Sequence, residues 1–166
     1  MRQVGILTIS DRGSAGEYED RSGPLAVKIL AERTSWQVSH QAIVPDELET
    51  IVTTLVEWCE AGLDLILTSG GTGLAPRDIT PEATRRVIDR EAPGIAEALR
   101  MASLQVTQHA MLSRAVAGTR GRSLIINLPG NPKAIRENLD VLLPVLPHAL
   151  DLLTGQPESG HDHREV

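Results

Sequence analysis

The sequence predicts an α/β sandwich built on a mostly parallel sheet, and three observations carry that expectation. Short apolar runs such as VGILTIS (Val4–Ser10) and LDLILTS (Leu63–Ser69) are continuous rather than alternating, the pattern of strands buried on both faces. These runs alternate with segments whose apolar residues recur at helical spacing. The chain has 166 residues, 41% of them hydrophobic but only 2% aromatic and none Phe. It is therefore long enough to fold as one domain around a core of Leu, Ile, Val and Ala.

Val4–Ser10 is the first strand. The polar segment Asp11–Gly23 that follows is longer than an ordinary strand-to-helix connection and reads as a functional loop. Ser22 reads as the N-cap of a helix over Pro24–Arg33, where Leu25, Ile29 and Leu30 share a side. Trp36–Val44 is a second strand, and Pro45–Glu60 a helix with Leu48, Ile51, Val52, Leu55 and Val56 on one side. Leu63–Ser69 is a third strand, running into a glycine-rich turn. Helices are expected over Pro81–Arg90 and Gly94–Leu104, divided at Ala92–Pro93–Gly94. Arg114–Gly130 reads as a strand, a turn containing glycine and another strand. Pro132–Thr154 is helical, with Pro144 starting a second helix or kinking the first. No repeat or internal boundary interrupts residues 1–154, read as a single domain. Residues 155–166 form a polar tail whose His161 and His163 lack partner ligands nearby, so it reads as a loose end rather than a metal site.

Composition excludes several classes. A net charge of −6 argues against nucleic-acid binding. No apolar run approaches the roughly 18 residues of a membrane span. Cys59 is the sole cysteine, so no intrachain disulfide forms. With no signal peptide at the start, this points to the cytoplasm. Cys59 follows Trp58 in an apolar helical pattern and reads as a buried structural thiol.

Ligands of open α/β sheets bind beyond the carboxyl ends of the strands. The segments leaving such ends here (Asp11–Gly23, Pro45–Asp46, Gly70–Asp78 and Pro129–Asn131) are all rich in Gly, Pro, Asp or Asn. In TSGGTGLAPRDITPEAT (Thr68–Thr84), Gly70, Gly71 and Gly73 sit between a strand and a helix. Glycine there permits positive φ and close approach to backbone N–H groups, which can form an anion nest. Neither the P-loop nor the dinucleotide fingerprint fits, and a tight strand-to-helix turn is the plain alternative. Asp78 precedes Thr80–Pro81–Glu82, read as N-cap, N1 and N2 of a helix. It is either an acid favoured by the helix dipole or a Mg²⁺ ligand. Asp46 offers a second carboxylate, but Asp46 with Glu49 also resembles a capping box. Asn131–Pro132 reads as N-cap and N1, with free N–H groups facing the same edge. Arg12, Arg21, Arg77 and Lys133 could each neutralise phosphate or simply be solvated.

Taken together, TSGGTGLAPRDITPEAT, SDRGSAGEYEDRSGP, AMLSRAVAGTRGRSLIINLPGNPKAI and the PDE at Pro45–Glu47 resemble the molybdopterin adenylyltransferases. The chain is also similar to the G domains of gephyrin and of the plant molybdenum insertase. The resemblance covers roughly residues 4–153, and four separated motifs in order make it specific. It implies a three-layer α/β/α sandwich that assembles as a homotrimer, or as a hexamer. It also implies adenylyl transfer from ATP to molybdopterin with Mg²⁺, releasing pyrophosphate, and a molybdenum insertase as partner. Carried over residue by residue, it makes Asp46 and Asp78 the catalytic, metal-binding pair. Gly70, Gly71, Thr72 and Gly73 are then the substrate-contacting loop. Ser113 and Pro129, Gly130, Asn131 and Pro132 also line the site, and Ser10, Asp11 and Arg77 are further substrate-binding candidates. Some members of that family lack the aspartate after the glycine loop; this chain keeps Arg77–Asp78 and so reads as active rather than as a non-catalytic scaffold. Pro147 in the final helix is a departure remote from the motifs. Both reactants are anions, so the expected task of the site is to screen their repulsion and align them.

Overall fold

The computed structural model describes residues 1–155. Strands β1 (Gln3–Ile9), β2 (Gln37–Val44), β3 (Leu65–Ser69) and β6 (Ser123–Leu128) run parallel, and β4 (Arg90–Glu91) and β5 (Ala117–Arg120) add an antiparallel edge. Their order across the sheet is β2-β1-β3-β6-β5-β4. Pairing of Thr8 with Ser69, and of Ser69 with Leu128, ends the three central strands at one level. The loops that leave them therefore share one rim.

The helices are α1 (Asp11–Ser14), α2 (Ser22–Arg33), α3 (Leu48–Glu60), α4 (Thr80–Val87), α5 (Pro93–Leu104), α6 (Pro132–Leu142) and α7 (Leu146–Thr154), with a 3-10 turn at Gln108–Leu112. Side chains alternate across the central strands, so the sheet has two apolar faces. Val4, Ile6, Leu65, Leu67, Leu124 and Ile126 meet Ile29 and Leu30 of α2, Leu99 of α5, Leu139 of α6 and Leu150 of α7. Leu7, Ile66 and Ile125 meet Ile51, Leu55 and Trp58 of α3 and Val87 of α4 on the other face. The result is the three-layer sandwich. Each fully buried aliphatic side chain, such as Leu55 or Leu139 at 0% exposure, contributes roughly 1.5–3 kcal/mol.

Several local expectations change. Asp11–Gly23 is not loop throughout: Ser10 caps the short α1 by accepting from the Gly13 N–H at 3.0 Å. Ser22 is not an N-cap. It is the first helical residue, and Asp20 accepts from the N–H groups of Ser22 and Gly23 in its place. Asp46 is no capping box either, because α3 begins two residues later and its N-cap, Glu47, makes no side-chain cap bond. Thr80 lies inside α4, whose N-cap position is Ile79. The helix expected to reach Arg90 stops at Val87, since Asp89 and Ala92 donate to Thr119 and Ala117 carbonyls and pull the chain onto the sheet edge. Pro144 falls in the turn between α6 and α7, and Pro147 occupies the first turn of α7, where proline is tolerated. Cys59 is half-buried against the second apolar face, and burial raises its thiol pKa. The tail lies outside the described residues apart from Gly155, which ends α7 with φ +64°.

Candidate active site

The turn after β3 is built by glycine. Gly70 and Gly71 have φ of +98° and +66°, a region that costs other residues about 1–3 kcal/mol. Space is equally restrictive. A Cβ on Gly71 would run into the Thr80 hydroxyl and lie 3.1 Å from Asp46 Oδ1; one on Gly73 would lie 2.8 Å from Asp78 Oδ2. The two acids, from segments far apart in sequence, thus each face a glycine of the same turn. The turn is fixed from α4, where the Thr80 hydroxyl donates to the Gly70 carbonyl at 2.9 Å and the Thr80 N–H to that of Gly71 at 3.1 Å. Behind it, the buried Asn127 amide donates to Thr68 and Thr84 hydroxyls and accepts from the Val116 N–H.

Asp46 and Asp11 hold one another. Asp46 Oδ2 accepts from the Asp11 N–H at 2.9 Å, and Asp11 Oδ1 accepts from the Asp46 N–H at 3.0 Å. Arg77 then donates to both Asp11 oxygens, at 2.5 and 2.9 Å. Hydrogen bonds from Arg77 hold the Asp11 carboxyl below the ordinary carboxylate range. Asp46 goes the other way: burial, reinforced by the charges of Asp11 and Asp78, pushes it up. Asp78 Oδ2 accepts from the Ala75 N–H at 3.0 Å. Asp46 thus lies among the charges of two further acids and one arginine.

Two cavities flank the turn. The larger, about 260 Å³, is walled by Leu99 and Leu112 and by Ser103, Glu137 and Asn138, and the turn gives it Thr72 and Gly73. Ser113, Pro129 and Asn131 line it as well. The smaller, about 150 Å³, takes Ser10, Gly70 and Gly130 together with Thr8, Tyr18, Asp20 and Ser22. The loops after β3 and β6 are the partition between them, held together where Gly130 packs against Gly70. Ser69 donates to the Pro129 carbonyl and Ser22 to that of Gly130. Asn131 caps α6 by accepting from the Ala134 N–H, with Pro132 at its first turn.

The structure thus brings Asp46, Asp78, Asp11, Arg77 and the glycines into one cluster and distributes Ser10, Ser113 and Pro129–Asn131 between the cavities. The other cations are spoken for differently: Arg12 lies over the Tyr18 ring at 5.4 Å and Lys133 faces Glu137 at 3.8 Å. Sequence reasoning missed Asp20, Thr80, Asn127 and Arg114 as parts of the site. Thr80 looked like a helix cap, and Asn127 sits in an apolar strand where only its polarity was a signal.

Among the described residues no three His, Cys, Asp or Glu side chains are grouped to cage a metal ion. Two carboxylates beside a turn fit a Mg²⁺ that completes its shell with phosphate oxygens and water, and do not fit a resident ion held by protein alone.

A mostly parallel sheet of this order, with two cavities and an acid pair at its carboxyl rim, is the architecture of an α/β ligand-binding domain. Residues 5–148 match the family model described as a probable molybdopterin binding domain, and the chain belongs to that family. It is 47% identical over 154 residues to a Helicobacter pylori protein named molybdopterin adenylyltransferase, covering 92% of this chain and 88% of that one. It is 46% identical over 165 residues to a Dictyostelium discoideum gephyrin, covering 94% of this chain but only 23% of the relative. The crystal structure of the molybdopterin biosynthesis enzyme MoaB from Thermus thermophilus superposes with a TM-score of 0.88 at 55% identity, over 95% of this chain and 99% of that one.

Proposed function

We propose that this protein is a molybdopterin adenylyltransferase of molybdenum cofactor biosynthesis. The observation that carries the reading is the pair Asp46 and Asp78, which line neither cavity but face Gly71 and Gly73 of the turn that separates them. A two-substrate transfer needs two binding volumes meeting at charged chemistry, and relatives named for that activity support the assignment. The larger cavity, with apolar walls and polar Ser103, Asn138 and Glu137, takes the pterin. The smaller, beside the Gly70 amide and Ser10, takes part of the nucleotide.

In the reaction the terminal phosphate of molybdopterin attacks the α-phosphorus of ATP; a P–O bond forms there and the bond to pyrophosphate breaks. Phosphate is already ionised, so no general base is required. Asp46 and Asp78 would hold Mg²⁺, which supplies charge screening between the two polyanions. The turn's N–H groups align phosphate oxygens. Arg77, paired with Asp11 beside Asp46, is exposed on this rim and is a further substrate contact.

The assembly we propose is a homotrimer, supported by exposed apolar residues Met101, Leu104, Val106, Met111 and Leu112 clustered in sequence around the end of α5; light scattering measures it. No helix among the described residues is long and apolar enough to cross a membrane, in keeping with cytoplasmic work beside a molybdenum insertase. The deciding experiment incubates purified protein with Mg-ATP and follows pyrophosphate. Release that depends on added molybdopterin is expected. Molybdopterin binding without any release would instead make the protein a scaffold.

A further inference from the structure

The loop that carries Asp78 is poorly anchored by itself. Leu74, Ala75, Pro76 and Arg77 are all exposed. Within the loop, the contacts are those between Ala75 and Asp78. From outside, Arg77 reaches Asp11, and a second arginine grips the base. Arg114 Nε donates to the Gly73 carbonyl at 2.8 Å, and its Nη2 donates to the Asp78 carbonyl at 2.6 Å. Its remaining Nη1 pairs with Glu82 of α4, and its own N–H donates to the Thr72 carbonyl at 2.8 Å. One guanidinium thus joins the two residues that flank the exposed stretch. The residue before it, Ser113, lines the larger cavity together with Thr72 and Gly73.

We propose that Arg114 is a positioning residue that closes the Gly73–Asp78 loop, presents the Asp78 carboxylate to the turn and ties that carboxylate to the wall of the larger cavity. The planar fork is what the geometry demands. Two carbonyls and a carboxylate are met by separate N–H groups of one rigid plane, a task that a lysine ammonium cannot reproduce. Glu82 orients the fork and offsets its charge: hydrogen bonding to Arg114 lowers the Glu82 pKa despite partial burial. Three of the five N–H donors of the Arg114 fork, one on each nitrogen, are committed to the protein. Its effect on turnover therefore passes through Asp78, and this part of the proposal rests on the adenylyl-transfer reading.

The test compares wild type, Arg114→Ala and Arg114→Lys in two measurements. Hydrogen exchange of the Ala75 and Asp78 amides needs no activity. Both variants should speed exchange there by about tenfold or more while leaving β1 and β3 amides unchanged. In the turnover assay both should lower kcat by about tenfold to a hundredfold, the range for a residue acting through another group's position, with KM for molybdopterin changed far less. Added methylguanidine should recover part of the Arg114→Ala loss. Should Arg114→Ala fail to fold, Arg114→Lys, which keeps the charge and most of the stem, carries both measurements. The proposal is overturned if loop exchange matches wild type, if Arg114→Lys turns over normally, or if kcat falls only in proportion to the folded fraction. A wild type that releases no pyrophosphate would sink the activity reading alone, and the exchange result would still decide the clamp.

Discussion

Two ends of the same sheet treat buried acid in opposite ways. At the amino end, Asp64 precedes β3 and is 2% exposed. Its carboxylate accepts from the Gln3 N–H at 2.8 Å, from Arg122 at 2.6 Å and from Arg2 at 3.5 Å. Burial alone would raise its pKa, but those donors outweigh it and hold Asp64 below the ordinary range. At the carboxyl end, Asp46 is half-buried with one N–H donor, and its neighbours include two more carboxylates. Its pKa is pushed up. The saturated acid ties the scaffold together, whereas Asp46 sits beside the glycine turn with few donors. The difference between the two ends locates the site more sharply than either acid does alone.

The largest effect should come from breaking the unsaturated end. Asp78→Asn and Asp46→Asn each remove an anionic oxygen donor while keeping shape. Turnover in a single-turnover assay with ATP and Mg²⁺ should fall about a hundredfold or more, the scale of losing one group that stabilises transition-state charge. Molybdopterin binding should persist. Near-normal adenylylation by both variants would erase the functional half of the contrast.

The scaffold end should answer in stability instead. Asp64→Ala leaves the Gln3 N–H and Arg122 without this acceptor, while Arg2 keeps Asp151. About 3 kcal/mol should be lost, as when one partner of a buried pair is removed, and urea titration reads it. The pH dependence has a definite sign. Because the folded pKa lies below the unfolded one, Asp64 stabilises above its unfolded-state value, and that contribution is lost as pH falls through the folded value. The gap between wild type and Asp64→Ala should close in strong acid.

Asp11 lies between the two cases, since Arg77 neutralises it and it in turn holds Asp46. Asp11→Asn should weaken the apparent Mg²⁺ affinity in turnover about tenfold, as outer-sphere changes do. Mn²⁺ titration by paramagnetic resonance with a non-hydrolysable nucleotide measures that shift directly. An unchanged titration would leave Asp11 as a substrate contact without influence on the metal.

The contrast between the ends was invisible in the one-dimensional pattern. Asp64 stands beside a buried strand as anonymously as any acid, and its partners Arg2 and Arg122 sit immediately before the two flanking strands, β1 and β6. The parallel strands were legible because burial on both faces writes continuous apolar runs, and the rim loops because Gly, Pro, Asp and Asn crowd there. Local rules went astray where tertiary contacts overrode them. Asp46 fits a capping box but turns to the Asp11 N–H, and Thr80 fits an N-cap but spends its hydroxyl on Gly70. Strand β4 could not be read because two residues carry no periodicity, and only pairing with Thr119 and Gly118 defines it. Arg114 was visible as part of a motif, but its targets are backbone carbonyls, which no sequence pattern marks.

The smallest effect tests the comparison most finely. Relative to the unfolded chain, folded Asp46 keeps its proton to higher pH. Its contribution to stability is therefore fully present below the unfolded pKa and lost as pH rises through the folded one. At neutral pH the ionised carboxylate opposes folding, so a neutral isostere should relieve the protein. Asn at this position keeps an oxygen to accept from the Asp11 N–H. Thermal unfolding of Asp46→Asn without metal should thus occur at the wild-type temperature or slightly above it at pH 7, with any gain vanishing in acid. On the proposed metal role, added Mg-ATP should reverse the order, because only the wild type would offer the cation both carboxylates. A clear loss of stability in Asp46→Asn without metal would mean that Asp46, like Asp64, is held there to build the fold.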